Sequence, residues 1–180
     1  MKTKIAKIKS VKLSKTKFTY NGEKQRPTVT VKDSNGKKLK KDTDYTVKYS
    51  TGCTKVGQYE VTVTFKGKYE GKKILTFNIV PKGVSVSKVT AGTEQFTAAW
   101  KKQTAQISGY EIQYSTSKKM KGEVTTLKVG RSEVAKTVTK LTRKTTYYVR
   151  VRTYKTFELS DYKDEIYYSS WSEVKSVKVK

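Results

Sequence analysis

Residues Leu141–Tyr154 read LTRKTTYYVRVRTY, a stretch in which basic and aromatic residues alternate with valines. Successive side chains of a β-strand point to opposite faces, so this stretch has two chemically different sides. One side consists of apolar residues at alternate positions, Tyr147, Val149 and Val151. The other consists of the residues between and beyond them, Tyr148, Arg150, Arg152 and Tyr154. The pattern predicts a strand whose valine side lies in a core and whose arginine side faces solvent.

The same period-two pattern continues on both sides of this strand. Upstream, two segments carry apolar residues at alternate positions: Phe96, Ala98 and Trp100, then Tyr110, Ile112 and Tyr114. Downstream, Val174 is out of phase with Val177 and Val179, which predicts a bulge or a late strand start. The predicted core of this half comprises Trp100, Tyr110, Ile112, Leu141, Tyr147, Val149 and Val151.

The first half of the chain also alternates, in shorter segments. Thr28–Lys32 reads TVTVK and is followed by DSNG at Asp33–Gly36, a sequence typical of hairpin turns. Tyr45–Tyr49 and Tyr59–Phe65 follow the same rule. About six short strands separated by frequent turn signals predict a β-sandwich.

Pro81, Lys82 and Gly83 interrupt the alternation, and a second set of strands follows. We place a domain boundary there, between residues 1–80 and residues 81–180. Because the connector is short, we expect the domains to sit end to end with restricted freedom. The predicted fold class is all-β, with two tandem immunoglobulin-like β-sandwiches joined by a short linker.

Residues 82–180 resemble the fibronectin type III domain. In that family a tryptophan of strand B lies in the core, which matches Trp100. A tyrosine six positions after a leucine closes the corner between strands E and F, and Leu141 and Tyr147 have this spacing. Trp171-Ser172 matches the common start of strand G. The resemblance implies a non-catalytic extracellular module.

Residues 1–80 resemble the Ig-like repeat modules of Gram-positive surface proteins. The resemblance depends on the order and spacing of short pieces: Phe18–Gly22, Pro27, Asp33 with Gly36 and Leu39, Asp44-Tyr45, Gly57, Tyr69 with Gly71, and Phe77 with Ile79. Modules of both kinds usually lie near one end of a long secreted or wall-attached chain, so the resemblance implies other domains in a longer parent protein.

Histidine is absent and Cys53 is the only cysteine, which excludes several chemistries. A Ser-His-Asp or Cys-His arrangement needs an imidazole base, and a structural zinc site needs about four Cys or His ligands. One cysteine forms no internal disulfide. We therefore expect no enzyme activity, no cofactor and no metal site. Cys53 is interpreted as a buried or half-buried small residue in a loop, with a reactive thiol as the alternative.

The N-terminal segment MKTKIAKIKS is basic but lacks the apolar run of a signal peptide. No apolar stretch approaches the ~20 residues that span a bilayer, so membrane insertion is not expected. Such a chain is either cytoplasmic or a piece of a longer exported protein. The resemblances favour an extracellular or cell-wall-associated monomer that is a fragment without its own signal peptide.

The net charge is +25, from 40 Lys and Arg against 15 Asp and Glu. The lysines are spread along both halves, in pairs such as Lys37-Lys38 and Lys118-Lys119. A sequence-specific nucleic-acid reader would concentrate charge on one element, so no specific nucleic acid is expected. A diffuse positive field favours weak, salt-sensitive attraction to polyanions such as a teichoic-acid-bearing wall. Solubility alone explains the charge about as well.

The arginine side of the opening strand has two interpretations. Outward Arg150 and Arg152, flanked by tyrosines, are ordinary on a solvated sheet face. The same arrangement would suit an anionic polymer, because aromatic rings stack on bases or sugars while arginines meet the charges. We expect Glu111 and Gln113 to be exposed on the preceding strand, where they dilute the positive field.

Phe157–Trp171 is the longest stretch without a strand pattern. It combines carboxylates with aromatic residues: Glu158, Asp161, Tyr162, Asp164, Glu165, Tyr167, Tyr168 and Trp171. The spacing of the carboxylates differs from that of a calcium loop. The stretch is interpreted as a loop that folds on itself as a short hairpin, its aromatics packed on the sheet, or as a ligand-recognition loop.

Two functional hypotheses remain. The first is a spacer, presentation or interaction module at a bacterial surface, with weak affinity for anionic cell-wall polymers. The second is a carbohydrate- or host-ligand-binding adhesion module that uses the Phe157–Trp171 loop and the face formed by Tyr148, Arg150 and Arg152.

Overall fold

A computed structural model describes residues 6–158 and 164–180 of the chain. These residues form β-strands, turns and loops and contain no helix, so the predicted all-β class is confirmed. The chain divides into two compact units, Met1–Val80 and Pro81–Lys180, each an immunoglobulin-like β-sandwich. No helix long and apolar enough to cross a membrane occurs in the described residues.

The described part of the first unit contains six strands arranged in two sheets. The strands are β1 (Ile8–Leu13), β2 (Lys17–Thr19), β3 (Val29–Asp33), β4 (Tyr45–Tyr49), β5 (Gly57–Phe65) and β6 (Lys72–Val80). β1 and β3 pair in one sheet, and the other has the order β2-β6-β5-β4. β2 runs parallel to β6, whereas the other pairs are antiparallel. This arrangement closes a sandwich around alternate residues of β3, β5 and β6.

The core of the first unit is formed by apolar residues at alternate positions of its strands, as predicted. Its most buried apolar side chains include Val31, Val61, Val63, Phe77 and Ile79. Cys53 is fully buried in the loop between β4 and β5, as expected, with its thiol directed at the Ser50 carbonyl oxygen 3.3 Å away. The unit therefore gains its stability mainly from apolar burial.

A buried polar pair fixes the turn after β3. The Asp33 carboxylate accepts hydrogen bonds from the backbone N–H groups of Asn35 and Lys37, each at 3.0 Å. The Tyr69 hydroxyl donates to the other Asp33 oxygen at 3.2 Å, and burial together with this carboxylate raises the pKa of Tyr69. The predicted DSNG turn is thus stabilised from within the sandwich.

In the second unit, the described residues form eight strands, also in two sheets. They are β7 (Val86–Gly92), β8 (Gln95–Trp100), β9 (Gly109–Ser115), β10 (Thr125–Gly130), β11 (Ala135–Val138), β12 (Thr146–Phe157), β13 (Glu165–Tyr168) and β14 (Lys175–Lys178). One sheet has the order β11-β8-β7. The other has the order β10-β9-β12-β13, and β14 also pairs with β12. All the pairs are antiparallel.

The structure buries all seven residues assigned to the core of this unit from sequence. The most exposed of them, Tyr147, retains 9% of its accessible surface, and Val149 and Val151 retain none. The Tyr147 hydroxyl accepts a hydrogen bond of 3.2 Å from the backbone N–H of Thr142, next to Leu141. Leucine and tyrosine thus close the corner that precedes β12, with Arg143-Lys144 in the turn between them.

The partner of β12 on one edge is split into two strands. β13 pairs with Tyr154–Phe157 and β14 with Thr146–Val149, so six residues, 169–174, lie opposite four residues of β12, 150–153. The two extra residues form bulges, and the Ser169 and Ser172 hydroxyls accept hydrogen bonds from the β12 backbone N–H groups of Thr153 and Val151, at 3.1 and 3.0 Å. β14 therefore begins late, at Lys175, which accounts for the phase of Val174.

The Phe157–Trp171 stretch is less irregular than expected. β12 continues as far as Phe157, and β13 returns along it in antiparallel register, so the described part is a hairpin that extends the sheet. This is the self-folded form of the two interpretations. Asp161 and Tyr162 lie outside the described residues.

Replacement of Trp100 by alanine should destabilise the second unit by about 3–5 kcal/mol, because it removes a buried ring that packs 5.3 Å from Tyr110. Trp100→Phe should cost less, about 1–2 kcal/mol, since it keeps an aromatic ring and removes an indole N–H that has no hydrogen-bond partner among the described residues. Urea denaturation monitored by circular dichroism measures both. Val134→Ala, at a 43% exposed position, is the control. An unchanged transition for Trp100→Ala would contradict the core assignment.

Gly109→Ala should destabilise the second unit by about 1–3 kcal/mol, because a Cβ at this position would lie 2.2 Å from the Val129 carbonyl oxygen and 2.8 Å from the Tyr154 hydroxyl. Gly130→Ala is the matched control on the neighbouring strand, since its nearest contact would be 3.9 Å away. Thermal melts of the two variants should differ clearly. Equal melting temperatures would show that β9 and β10 can move apart to accommodate the added Cβ atom without loss of stability.

Candidate functional site

The outer face of the β10-β9-β12-β13 sheet carries a stack of alternating cations and aromatic rings. The Arg150 guanidinium lies 4.5 Å from the centroid of Trp171, and that of Arg152 lies 4.2 Å from the same ring. Arg152 is also 3.7 Å from the ring centroid of Tyr168. We call these four residues, Arg150, Trp171, Arg152 and Tyr168, the cation–π ladder. Each contact of this kind contributes on the order of 0.5–1 kcal/mol at exposed sites and more when it is desolvated.

The bulges opposite β12 place Trp171 in the ladder. The backbone N–H of Ser172 donates to the Val151 carbonyl oxygen at 2.8 Å, and the Ser169 N–H donates to that of Thr153 at 3.1 Å. Trp171 lies between these two anchors, opposite Arg152. The ring is therefore held where it contacts both outward arginines of the strand.

Side chains of the neighbouring strand β9 also bind both arginines. The Glu111 Oε1 atom accepts hydrogen bonds from Arg152 Nε and Nη2, at 2.9 and 2.5 Å. Gln113 Oε1 accepts from Arg150 Nε and Nη2, at 3.0 and 2.6 Å. These pairs follow from the register, which sets Arg152 opposite Glu111 and Arg150 opposite Gln113.

The expected exposure of Glu111 and Gln113 is wrong. Glu111 is 3% exposed and Gln113 is half-buried, because the guanidinium groups of Arg152 and Arg150 are hydrogen-bonded to them. A buried carboxylate needs a charged, hydrogen-bonded partner, and Arg152 supplies it. Glu111 therefore neutralises Arg152 directly instead of diluting a solvent-exposed field.

Burial lowers the pKa of the Arg150 guanidinium, and the neighbouring charge of Arg152 lowers it further. Arg150 has a neutral hydrogen-bond partner in Gln113, whereas Arg152 has a carboxylate. The unneutralised positive charge of the ladder thus lies at its Arg150 end.

A smaller aromatic group continues the ladder toward the hairpin. The Tyr154 and Tyr168 rings are 6.3 Å apart, and Lys128 Nζ from β10 lies 5.3 and 5.9 Å from their respective centroids. Both tyrosines are half-buried. This corner presents partly covered ring faces.

The structure brings together some of the residues assigned to a binding site from sequence and separates others. Arg150, Arg152, Tyr154, Tyr168 and Trp171 form one continuous surface. Tyr167 alternates to the other side of β13, where it is buried, packs edge-on against Phe157 and donates a hydrogen bond to Glu165. Tyr148 is half-buried on β12, and Tyr162 lies outside the described residues.

The arginines and the tryptophan of the cation–π ladder are bound mainly to one another and to β9. The Trp171 ring has a guanidinium against it from each of two arginines, and two donor atoms of each arginine are bonded to β9. No three His, Cys, Asp or Glu side chains come close enough to hold a metal ion in residues 6–158 and 164–180. The face therefore serves mainly to fix β9, β12 and the bulged segment to one another.

Glu111→Ala should destabilise the second unit by about 2–3 kcal/mol, because it leaves the largely buried guanidinium of Arg152 without its carboxylate. This is below the value for a fully buried pair, since the Arg152 side chain is 21% exposed. Glu133→Ala removes the same charge from an exposed loop and should change stability by less than about 0.5 kcal/mol. Urea denaturation measures both, and equal midpoints would mean that the pair contributes nothing net.

Comparisons with known proteins agree with this geometry over one part of the chain. The family that matches is the fibronectin type III domain, over residues 80–166. No curated protein matches the sequence.

Two solved structures to which the chain is similar come from chicken. A two-domain fibronectin type III segment of tenascin is 19% identical with a TM-score of 0.46, covering 90% of this chain and 99% of that one. The FN1–FN3 domains of CNTN1 are 16% identical with a TM-score of 0.45, covering 94% of this chain. The present chain spans 66% of the length of that structure. The Ig-like surface-protein identity of residues 1–80 stays a prediction, whereas the segment at residues 80–166 is a fibronectin type III domain.

Proposed function

We propose that this chain is a non-catalytic spacer or presentation segment of a secreted or cell-surface bacterial protein, with weak, salt-sensitive affinity for the anionic polymers of the cell wall. Fibronectin type III domains are typically non-catalytic modules of longer multidomain chains, and one occupies residues 80–166. The partners of the chain are then the other domains of its parent protein, and it acts as a monomer.

The observation that supports the spacer role is that the side chains of the cation–π ladder contact one another instead of remaining free for a ligand. A binding platform for sugars or bases needs a free aromatic face, because stacking is the main source of affinity. Here the guanidinium groups of Arg150 and Arg152 both contact the Trp171 ring. The face that the sequence offers for recognition is used for internal stability.

The proposed wall affinity is supported by the balance of charges on the surface. Two ion pairs occur among the described residues, Arg152–Glu111 and an exposed contact of 3.9 Å between Lys41 and Asp42. With 40 basic and 15 acidic residues in the chain, most lysines therefore keep an uncompensated charge. Such a surface attracts polyanions over about one Debye length, near 10 Å at 0.1 M salt.

A carbohydrate- or host-ligand-binding adhesion role is the second candidate. One observation favours it: the rings of Tyr154 and Tyr168 are half-buried and adjacent to Lys128, at the hairpin end of the ladder. A sugar could stack on this corner while Lys128 meets an acidic substituent. The corner is smaller than the platform predicted from sequence.

Retention of the chain on isolated Gram-positive cell walls tests the proposal. We expect retention at low salt that is largely lost between about 0.05 and 0.5 M NaCl, because screening removes attraction between exposed charges. Walls stripped of their phosphate polymers are the control and should retain little protein. Retention that resists salt and disappears in Tyr154→Ala would contradict the proposal and favour the second candidate.

A further inference from the structure

Basic residues from three separate segments meet at one end of the β11-β8-β7 sheet. β8 is the central strand, and its last residue, Trp100, pairs with the first residue of β7, Val86. On the other side, the Trp100 N–H donates to the Val134 carbonyl oxygen at 2.9 Å, just before β11 begins. Antiparallel pairing therefore brings the segments before β7 and before β11 to the segment that follows β8.

Each of these three segments carries a cation. We call Lys82, Lys101, Lys102 and Arg131 the basic cluster. They line two cavities that share Lys102. One, of about 420 Å³, is lined by Lys102, Thr104, Arg131 and Ser132. The other, of about 480 Å³, is lined by Lys82, Gly83, Val84, Ser85, Ser87, Lys101, Lys102 and Gln103.

The backbone around the basic cluster is fixed by hydrogen bonds to buried groups. The hydroxyl of Tyr110, which is fully buried, accepts from the Gln103 N–H at 2.7 Å and donates to the Gln103 carbonyl oxygen at 3.1 Å. The Lys82 carbonyl oxygen accepts from the buried Thr153 hydroxyl at 2.9 Å. The segments that carry Lys82 and Lys102 are therefore held in place before any ligand arrives, which reduces the entropy lost on binding.

The chemistry of both cavities selects anions. Lysine side chains and serine hydroxyls line both cavities, and Arg131 and Thr104 line the smaller one. Among the residues that the structure describes, no carboxylate lines either cavity. A guanidinium and an ammonium together suit phosphate oxygens, because charge-assisted hydrogen bonds from these groups are stronger than neutral ones. No aromatic ring from residues 6–158 or 164–180 lines either cavity, so these residues offer no surface there on which a base or sugar could stack.

The pairing of the cavities suggests a repeating ligand. Two anion-selective cavities with Lys102 in common suit two successive charged groups of one polymer. A single inorganic anion would use one cavity and leave the other empty.

We propose that the basic cluster is a localised binding site for a polymer with repeating phosphodiester groups. This inference depends on the proposed attraction to anionic wall polymers, and it adds that part of this attraction is concentrated at one end of the second unit. Lys102 lies between two successive phosphates, with Arg131 on one and Lys82 and Lys101 on the other.

Titration of the full chain with a glycerol phosphodiester oligomer at 0.1 M NaCl, followed by NMR of backbone amides, tests the site. The amides expected to shift are those around residues 82–87, 101–104 and 130–133. The double variant Lys102→Ala/Arg131→Ala should bind about tenfold more weakly than the natural chain, since it loses charged donors from both cavities. The matched control is Lys118→Ala/Lys119→Ala, which removes two charges from the exposed β9–β10 connection and should weaken binding less than about twofold. Urea midpoints equal to that of the natural chain would show that both variants are folded.

Equal affinities of the two double variants, or shifts spread over both units, would overturn the site while leaving the diffuse wall attraction intact. Tighter binding of a sulfated glycan at the same amides would overturn the assignment to phosphodiesters. Salt-insensitive wall retention would instead count against the proposed function, and it is measured separately from this titration.

Discussion

β12 is hydrogen-bonded along both edges, and this requirement organises the second unit. A twelve-residue central strand carries many backbone N–H and C=O groups, and each one left buried without a partner costs about 1–3 kcal/mol. β9 satisfies one edge, whereas the other edge is shared between β13, the serine-containing bulges and β14. The valines of β12 can occupy the core because the backbone that carries them is satisfied on both sides.

The same pairing determines the chemistry of the outer face. Once the register sets Arg152 opposite Glu111, a carboxylate and a guanidinium share a site from which water is largely displaced, and the bulges add Trp171 above them. A cluster that looks like a binding surface in the sequence is thus a set of mutually satisfied groups. Apart from Arg150, which has a neutral partner, the uncompensated charge lies on the lysines of turns and loops and at the end of β8.

The sequence was sufficient for the all-β class and for the fibronectin type III segment, because alternation is a local property and the leucine–tyrosine corner is a short motif. It was insufficient for Glu111, since a charged residue in an alternating pattern is expected in solvent unless its cross-strand partner is known. The hairpin of β12 and β13 was only one of two interpretations of its segment, because the aromatic and acidic residues there lack a clear period. The basic cluster could not be predicted from the sequence, because Lys82, Lys102 and Arg131 are far apart along the chain and come together only through antiparallel pairing.

The two bulges between β13 and β14 determine how the length of this segment can change. One extra residue reverses the inside–outside phase of a strand, and a second extra residue restores it. In this segment the phase reverses once before Trp171 and once after it. Trp171 therefore lies on the outer face, while Tyr167 before the first reversal and Val177 after the second are both buried. The number of residues from 169 to 174 therefore constrains the fold: insertion or loss of a single residue would turn Val177 of β14 toward water, whereas a change of two would preserve its orientation.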